Sequence, residues 1–185
     1  MNPLKKLAGQ TAIYGLSSIV GRLLNYLLVP WYTRIFTTAE YGVVTEMYAY
    51  VSFLIIILTY GMETGFFRFS ESYHDKKTVY STSLISLFST SVTFIIAVIF
   101  FSETIAGWLD YSNHPEYIIW FGIVVGLDAF SSIPFANLRQ QNKAIRFATI
   151  KLINIGVNIG LNLFFLLLCP KLSANGIPGW LSPIY

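Results

Sequence analysis

Read for hydrophobic and polar positions alone, the chain is a succession of long apolar runs joined by short polar connections. Five runs reach the roughly 20 helical residues needed to cross a hydrocarbon core about 30 Å thick. They are Leu7 to Trp31, Glu40 to Phe67, Val79 to Phe101, Tyr117 to Leu138 and Ala144 to Cys169. The third is the cleanest, with no formal charge from Thr78 to Ser102, and the fifth is uncharged from Leu152 to Pro170. This pattern predicts an all-α membrane protein of five transmembrane helices. The connections are Thr33 to Ala39, Ser70 to Thr78, Ser102 to Glu116 and Arg139 to Lys143, none long enough for a soluble domain. The start, Met-Asn-Pro-Leu-Lys-Lys, is basic like that of a signal peptide. The run behind it is long, contains Arg22 and lacks a small-residue cleavage site, so it reads as a retained first helix. The tail from Lys171 to Tyr185, rich in Ser, Pro and Gly, reads as an extracytoplasmic loop truncated before a sixth helix.

Composition agrees with the pattern and excludes the other classes. Of 185 residues, 55% are hydrophobic and only 11% charged, with a mean hydropathy of +0.60; soluble domains carry about 25% charge. Twelve Lys and Arg with nine Asp and Glu are too few to cover a soluble surface of this size. The single cysteine, Cys169, excludes a disulfide framework within the chain and a cysteine-based zinc site. His74 and His114 fall in loops, where solvated side chains are the expected reading. The net charge of +3 is small, and its distribution matters more. Lys5, Lys6, Arg68, Lys76, Lys77, Arg139, Lys143 and Arg146 lie on one side of the predicted spans, against Arg34 and Lys171 on the other. That asymmetry places the N-terminus in the cytoplasm. Membrane lipids are therefore expected partners, with anionic headgroups near the basic connections; nothing calls for nucleic acid.

Charge inside the spans carries the functional signal, because Arg, Lys or Asp at a helix centre costs about 2.5 to 3.5 kcal/mol on insertion scales. Five residues stand out: Arg22 in span one, Glu46 and Glu63 in span two, Asp128 in span four and Lys151 in span five. Arg22 and Asp128 have similar central depth and are expected partners, either as a structural ion pair or as part of a working site. Glu46 reads as a snorkelling or locally paired residue, and Glu63 sits near the cytoplasmic end, level with Arg139. At about 100° per residue, Thr11, Gly15, Ser18, Arg22, Asn25 and Tyr26 share a face of span one. Lys151, Asn154, Asn158 and Asn162 share one of span five, and Gly156 and Gly160 lie opposite, at a spacing suited to close helix packing. The Lys/Asn stripe either lines a passage or bonds a neighbouring helix. Pro30 and Pro134 fall within or near the ends of spans one and four, as in many transporter helices.

The sequence has no nucleophile motif, metalloprotease motif or phosphate loop, and no catalytic residue or metal ligand is assigned. On physical grounds a transporter or a structural subunit remains, not an enzyme.

Three strings go further: GRLLNYLLVPWYTRIFTTAEYG from Gly21 to Gly42, LTYGMETGFFRF from Leu58 to Phe69, and FANLRQQNKAIRFATIKLINIGVNIGLNLFFL from Phe135 to Leu166. Together they resemble the N-terminal part of polysaccharide exporters, the O-unit or lipid-linked oligosaccharide flippases of the multidrug/oligosaccharidyl-lipid/polysaccharide superfamily. The resemblance implies two six-helix lobes in a bundle of twelve to fourteen helices, of which these five would belong to the first. It implies alternating access and a central cavity through which an undecaprenyl-pyrophosphate-linked oligosaccharide crosses the bacterial cytoplasmic membrane, for lipopolysaccharide O-antigen or a similar glycan. Arg22 and Lys151 match the basic cavity positions, with Arg139 at the cytoplasmic mouth and Asn25, Asn154 and Asn158 lining the cavity. Asp128 and Glu63 are the expected gating or ion-coupling residues. No cofactor is implied beyond coupling to protons or sodium ions, and a glycan polymerase and assembly proteins are the implied protein partners. A fragment of five helices is expected to be inactive alone. The alternatives are a drug or cation antiporter of the same superfamily, with Asp128 and Glu63 binding the cation, and a non-transporting scaffold of a glycan-assembly complex. An embedded glycan polymerase would need a large outer loop with acid and base groups, and the outer loops are short.

Overall fold

The computed structural model describes residues 3–165, so the expected loop from Lys171 to Tyr185 lies outside the described residues. Among the described residues seven helices follow in order: α1 Pro3–Ile35, α2 Thr38–Thr59, α3 Met62–Ser72, α4 Lys76–Phe100, α5 Ser102–Trp108, α6 Pro115–Gln140 and α7 Ala144–Leu163. No strand occurs among the described residues. Five helical stretches among the described residues are long and apolar enough to cross a membrane: Thr11–Ile35, Thr38–Ser72, Lys76–Phe100, Pro115–Gln140 and Ala144–Leu163. The protein is an all-α, multi-pass membrane protein. Its surface fits that solvent, since Phe53, Ile56, Phe88, Ile96, Trp120 and Ile153 are all exposed along the helices. Such apolar surface is stable against hydrocarbon and not against water.

Local chemistry sets the helix boundaries. Thr37 and Glu40 form a reciprocal cap at the start of α2: the Glu40 carboxylate accepts from the Thr37 backbone N–H at 2.8 Å, and the Glu40 N–H donates to Thr37 Oγ1 at 3.4 Å. The second span is broken into α2 and α3 by Tyr60 and Gly61, with φ of 37° and 70°. At Gly61 the left-handed backbone carries no side-chain penalty, whereas Tyr60 bears one. Asp75 caps α4, accepting from the N–H groups of Lys77 and Thr78 and from the Thr78 hydroxyl. Those bonds, the Thr78 hydroxyl foremost, hold the Asp75 carboxyl below its usual range. The connection after α4, expected to be a plain loop, contains the short helix α5.

Two compact units make up the chain. Among the described residues, one comprises 3–41 and 143–165 and is built on α1 and α7; the other is Gly42–Asn142. In the first unit α1 and α7 run parallel, as contacts rising in step along both helices show. Tyr14 meets Phe147 edge to face at 5.1 Å, Ser18 meets Lys151, and Gly21 meets Ile155. A Cβ on Gly21 would lie 2.7 Å from Ile155 Cδ1, so the approach depends on that glycine.

In the second unit the main contact is antiparallel, α4 on α6. Gly122 faces Val98 and Gly126 faces Ile95, where an added Cβ would come within 2.5 and 2.6 Å of the side chains. One end of this seam is closed by Met47, Val98, Ala106 and Ile118, the other by Phe66, Leu87, Ile133 and Ala136. Helix α3 buries Phe66 and Ser70 against α4 and α6. The packing role expected for Gly156 and Gly160 is corrected: no atom lies within 4 Å of a Cβ built on either. The reason is the polar seam, since α7 turns Lys151, Ile155 and Asn162 toward α1 and leaves its glycine face open.

Candidate functional site

In the first unit the polar residues of the two stripes divide between the α1–α7 seam and its flank. Lys151 Nζ donates to Ser18 Oγ at 3.0 Å and lies 5.4 Å from the centroid of the Phe147 ring. The hydroxyl and the ring face satisfy an ammonium that would be costly against lipid. Higher along the pair, Tyr32 donates to Asn162 Oδ1 at 2.8 Å, and Asn162 Nδ2 donates to the carbonyl and side-chain oxygens of Asn158. Lys151 and Asn162 thus bond across the seam. Arg22, Asn154 and Asn158 are exposed on its flank. Arg22 stands about 80° around α1 from Tyr14, which faces α7, at 100° per residue. Asn25 lies on the same helix, and its side chain falls outside the described residues.

The second unit contributes three ionic or polar groups. Glu63, at the start of α3, pairs with Arg139 in the last turn of α6, and the Arg139 guanidinium also lies 5.5 Å from the Phe67 ring centroid. Each side chain of the pair keeps more than a third of its surface exposed, so the contact is a partly exposed ion pair of modest worth. Glu46 accepts from the Tyr50 hydroxyl at 2.8 Å and from the Tyr111 hydroxyl at 2.7 Å, tying α2 to the connection before α6. Tyr111 lies outside the spans, and its bond to the Glu46 carboxylate pushes its pKa up to about 12. Asp128 is exposed on α6. It sits roughly 100° around the helix from Ala129, which is buried. Arg22 belongs to the first unit and Asp128 to the second.

Sequence reading missed the two phenols on Glu46 and the helix break before Glu63. The four-residue spacing of Glu46 and Tyr50 was a signal for the first; the Tyr60-Gly61 pair was one for the second.

A family model described as polysaccharide biosynthesis protein matches residues 7–177. The chain belongs to that family. Comparison with curated proteins and with solved structures returns no match. Membership assigns this polysaccharide biosynthesis protein a role in the making or export of polysaccharide. The match takes in all of α2 to α7 and α1 from Leu7 onward, so every polar group described above lies within the family's own sequence. It also fits a transporter-like membrane protein better than an enzyme.

Proposed function

We propose that this protein takes part in moving a polyprenyl-pyrophosphate-linked oligosaccharide across the bacterial cytoplasmic membrane, as one section of an alternating-access flippase with its N-terminus in the cytoplasm. The observation that carries the reading is a cation in a membrane span of a polysaccharide biosynthesis protein, exposed beside a seam whose other polar groups bond one another. Arg22 occupies that position, with Asn154 and Asn158 exposed on the partner helix. A guanidinium in a low-dielectric cavity binds phosphate or a sugar carboxylate through charge-assisted, often bidentate hydrogen bonds. Lys151 and Asn25 belong to the same lining. Its bond to Ser18 gives Lys151 a resting partner that an incoming anion would have to replace.

Arg139 stands at the cytoplasmic mouth in this scheme. Glu63 is its counter-charge and releases it as the access changes, while Asp128 serves as the second acidic gating residue or takes up the coupling proton or sodium ion. Membrane lipids surround the spans, and a glycan polymerase with its assembly proteins receives the product. The test replaces Arg22 with Ala in the chromosomal gene. Loss of surface glycan with accumulation of the lipid-linked precursor on the cytoplasmic side is expected, with the protein still in the membrane at normal abundance. Unchanged surface glycan would remove Arg22 from the mechanism.

A further inference from the structure

The second unit contains a crevice of about 270 Å³ between α2 and the α4–α6 pair. Val51, Leu54, Phe94, Ile118, Phe121 and Val125 supply much of its wall, which is apolar throughout. Such a wall offers water none of the two to four polar partners that an ordered water needs. The same stretch of α2 exposes Ile56 and, at the mouth of the crevice, Phe53, an apolar surface suited to hydrocarbon surroundings. A hydrocarbon chain from the adjoining leaflet suits such a wall, and the charge at its rim selects among the lipids that could supply one.

Glu46 stands at the rim, exposed, one turn before Tyr50, which lines the crevice. Its two phenol donors, Tyr50 and Tyr111, leave part of the carboxylate's roughly four acceptor positions unused. The other charged residues at this end of the unit are acidic as well: Glu103 on α5, Asp110 after it and Glu116 at the start of α6. Between Gly42 and Tyr60, and again from Val98 to Ile118, there is no Lys or Arg, and His114 is held by Glu116 at 2.9 Å. A headgroup that is anionic overall is repelled here. One that carries an ammonium finds a carboxylate and two aromatic faces.

We propose that this crevice binds an acyl chain of a zwitterionic, amine-headed phospholipid such as phosphatidylethanolamine, with Glu46 taking the ammonium. The lipid is a resident of the fold, separate from any pyrophosphate-linked cargo, whose charge the rim disfavours. It fills the gap that leaves α2 loosely seated on its neighbours and steadies that helix between the Glu46–Tyr111 bond and the break at Tyr60.

The test places the full chain in nanodiscs of equal parts phosphatidylethanolamine and phosphatidylglycerol, with a photoactivatable group on the acyl chain of one lipid at a time. Phosphatidylethanolamine is expected to label the α2 and α6 wall peptides about tenfold more than phosphatidylglycerol, a difference of about 1.4 kcal/mol. Leu54→Trp fills the crevice and should abolish the labelling, whereas Ile96→Trp, on an exposed face of α4, should leave it. Glu46→Gln should keep acyl labelling and erase the headgroup preference. Equal labelling by the two lipids in the unmodified protein, or labelling that survives Leu54→Trp, would overturn the assignment. So would displacement by polyprenyl pyrophosphate, which would give the crevice to the cargo's own tail.

Discussion

A carboxylate on a membrane-spanning helix needs donors, and Glu46 finds them in Tyr50 on its own helix and Tyr111 some distance along the chain. Donating to a carboxylate favours the neutral phenol, as do partial burial and the negative charge itself, so the Tyr111 pKa rises from 10.0 to about 12. For a group whose folded pKa is raised, the stabilisation is fully present below the unfolded value. It is then lost as pH climbs from 10.0 toward 12. An ultraviolet tyrosinate titration of the folded protein should therefore show a late-ionising component that is diminished in Tyr111→Phe. It should shift to earlier pH in Glu46→Gln; a late component that persists in Glu46→Gln would mean the bond is not its cause. The pair at the opposite end of the unit behaves differently. Because Glu63 and Arg139 are each more than a third exposed, a double-mutant cycle of Glu63→Gln and Arg139→Gln should give a coupling of at most about 1 kcal/mol in an unfolding assay. If transport falls by more than so small a coupling explains, the pair acts in gating; if activity follows stability alone, it is only a tether.

Two Gly-xxx-Gly repeats lie wholly within a helix, Gly122 with Gly126 in α6 and Gly156 with Gly160 in α7, and the structure uses them in opposite ways. A Cβ on Gly122 would lie 2.5 Å from Cγ1 and 3.1 Å from Cβ of Val98, a β-branched side chain with little rotamer freedom. Gly122→Ala should therefore cost about 1–3 kcal/mol through overpacking. Gly160→Ala meets open space and should be neutral, or stabilising by up to about 1 kcal/mol through helix propensity. Thermal unfolding of the two variants in detergent separates these outcomes, and equal losses would contradict the packing described.

Sequence alone singled out Gly156 and Gly160 and passed over Gly122 and Gly126 for a physical reason. In a soluble helix the buried face is the apolar one, but lipid is as apolar as a helix interface, so hydropathy does not tell the two faces apart. The five spans were legible because their length and hydropathy answer to the bilayer. The break at Tyr60 and Gly61 is marked by that dipeptide alone, because nothing polar interrupts the run from Val51 to Leu58 ahead of it except Ser52. Helix α5, only seven residues long, is too short to show a period.

At the scale of the whole molecule, membership of the polysaccharide biosynthesis family and an all-α membrane fold agree, and the open matter is what the polar faces meet. A helix that only packs keeps its polar side chains bonded to neighbours; one that lines a passage keeps some of them in water. The α1–α7 pair sorts its residues in a way that makes this measurable. Asn162 is partly buried and bonded to Tyr32, whereas Asn154 and Asn158 are exposed on the flank. With Cys169, the one native cysteine, changed to Ser, single cysteines at these positions report on their surroundings in intact cells. A membrane-impermeant thiol reagent should label Cys placed at Asn154 and Asn158 strongly and at Asn162 several-fold less, because a thiol must ionise in water to react. Labelling of the first two should also fall when the lipid-linked precursor accumulates, if Arg22 and these asparagines share a cavity with it. Uniform protection at all three positions would mean that the stripe faces lipid or protein, and would turn the reading from a transporter's lining to a scaffold's helix contact. A lipid-facing thiol and a protein-covered one would then be separated by a bilayer-soluble maleimide, which reaches the first and not the second.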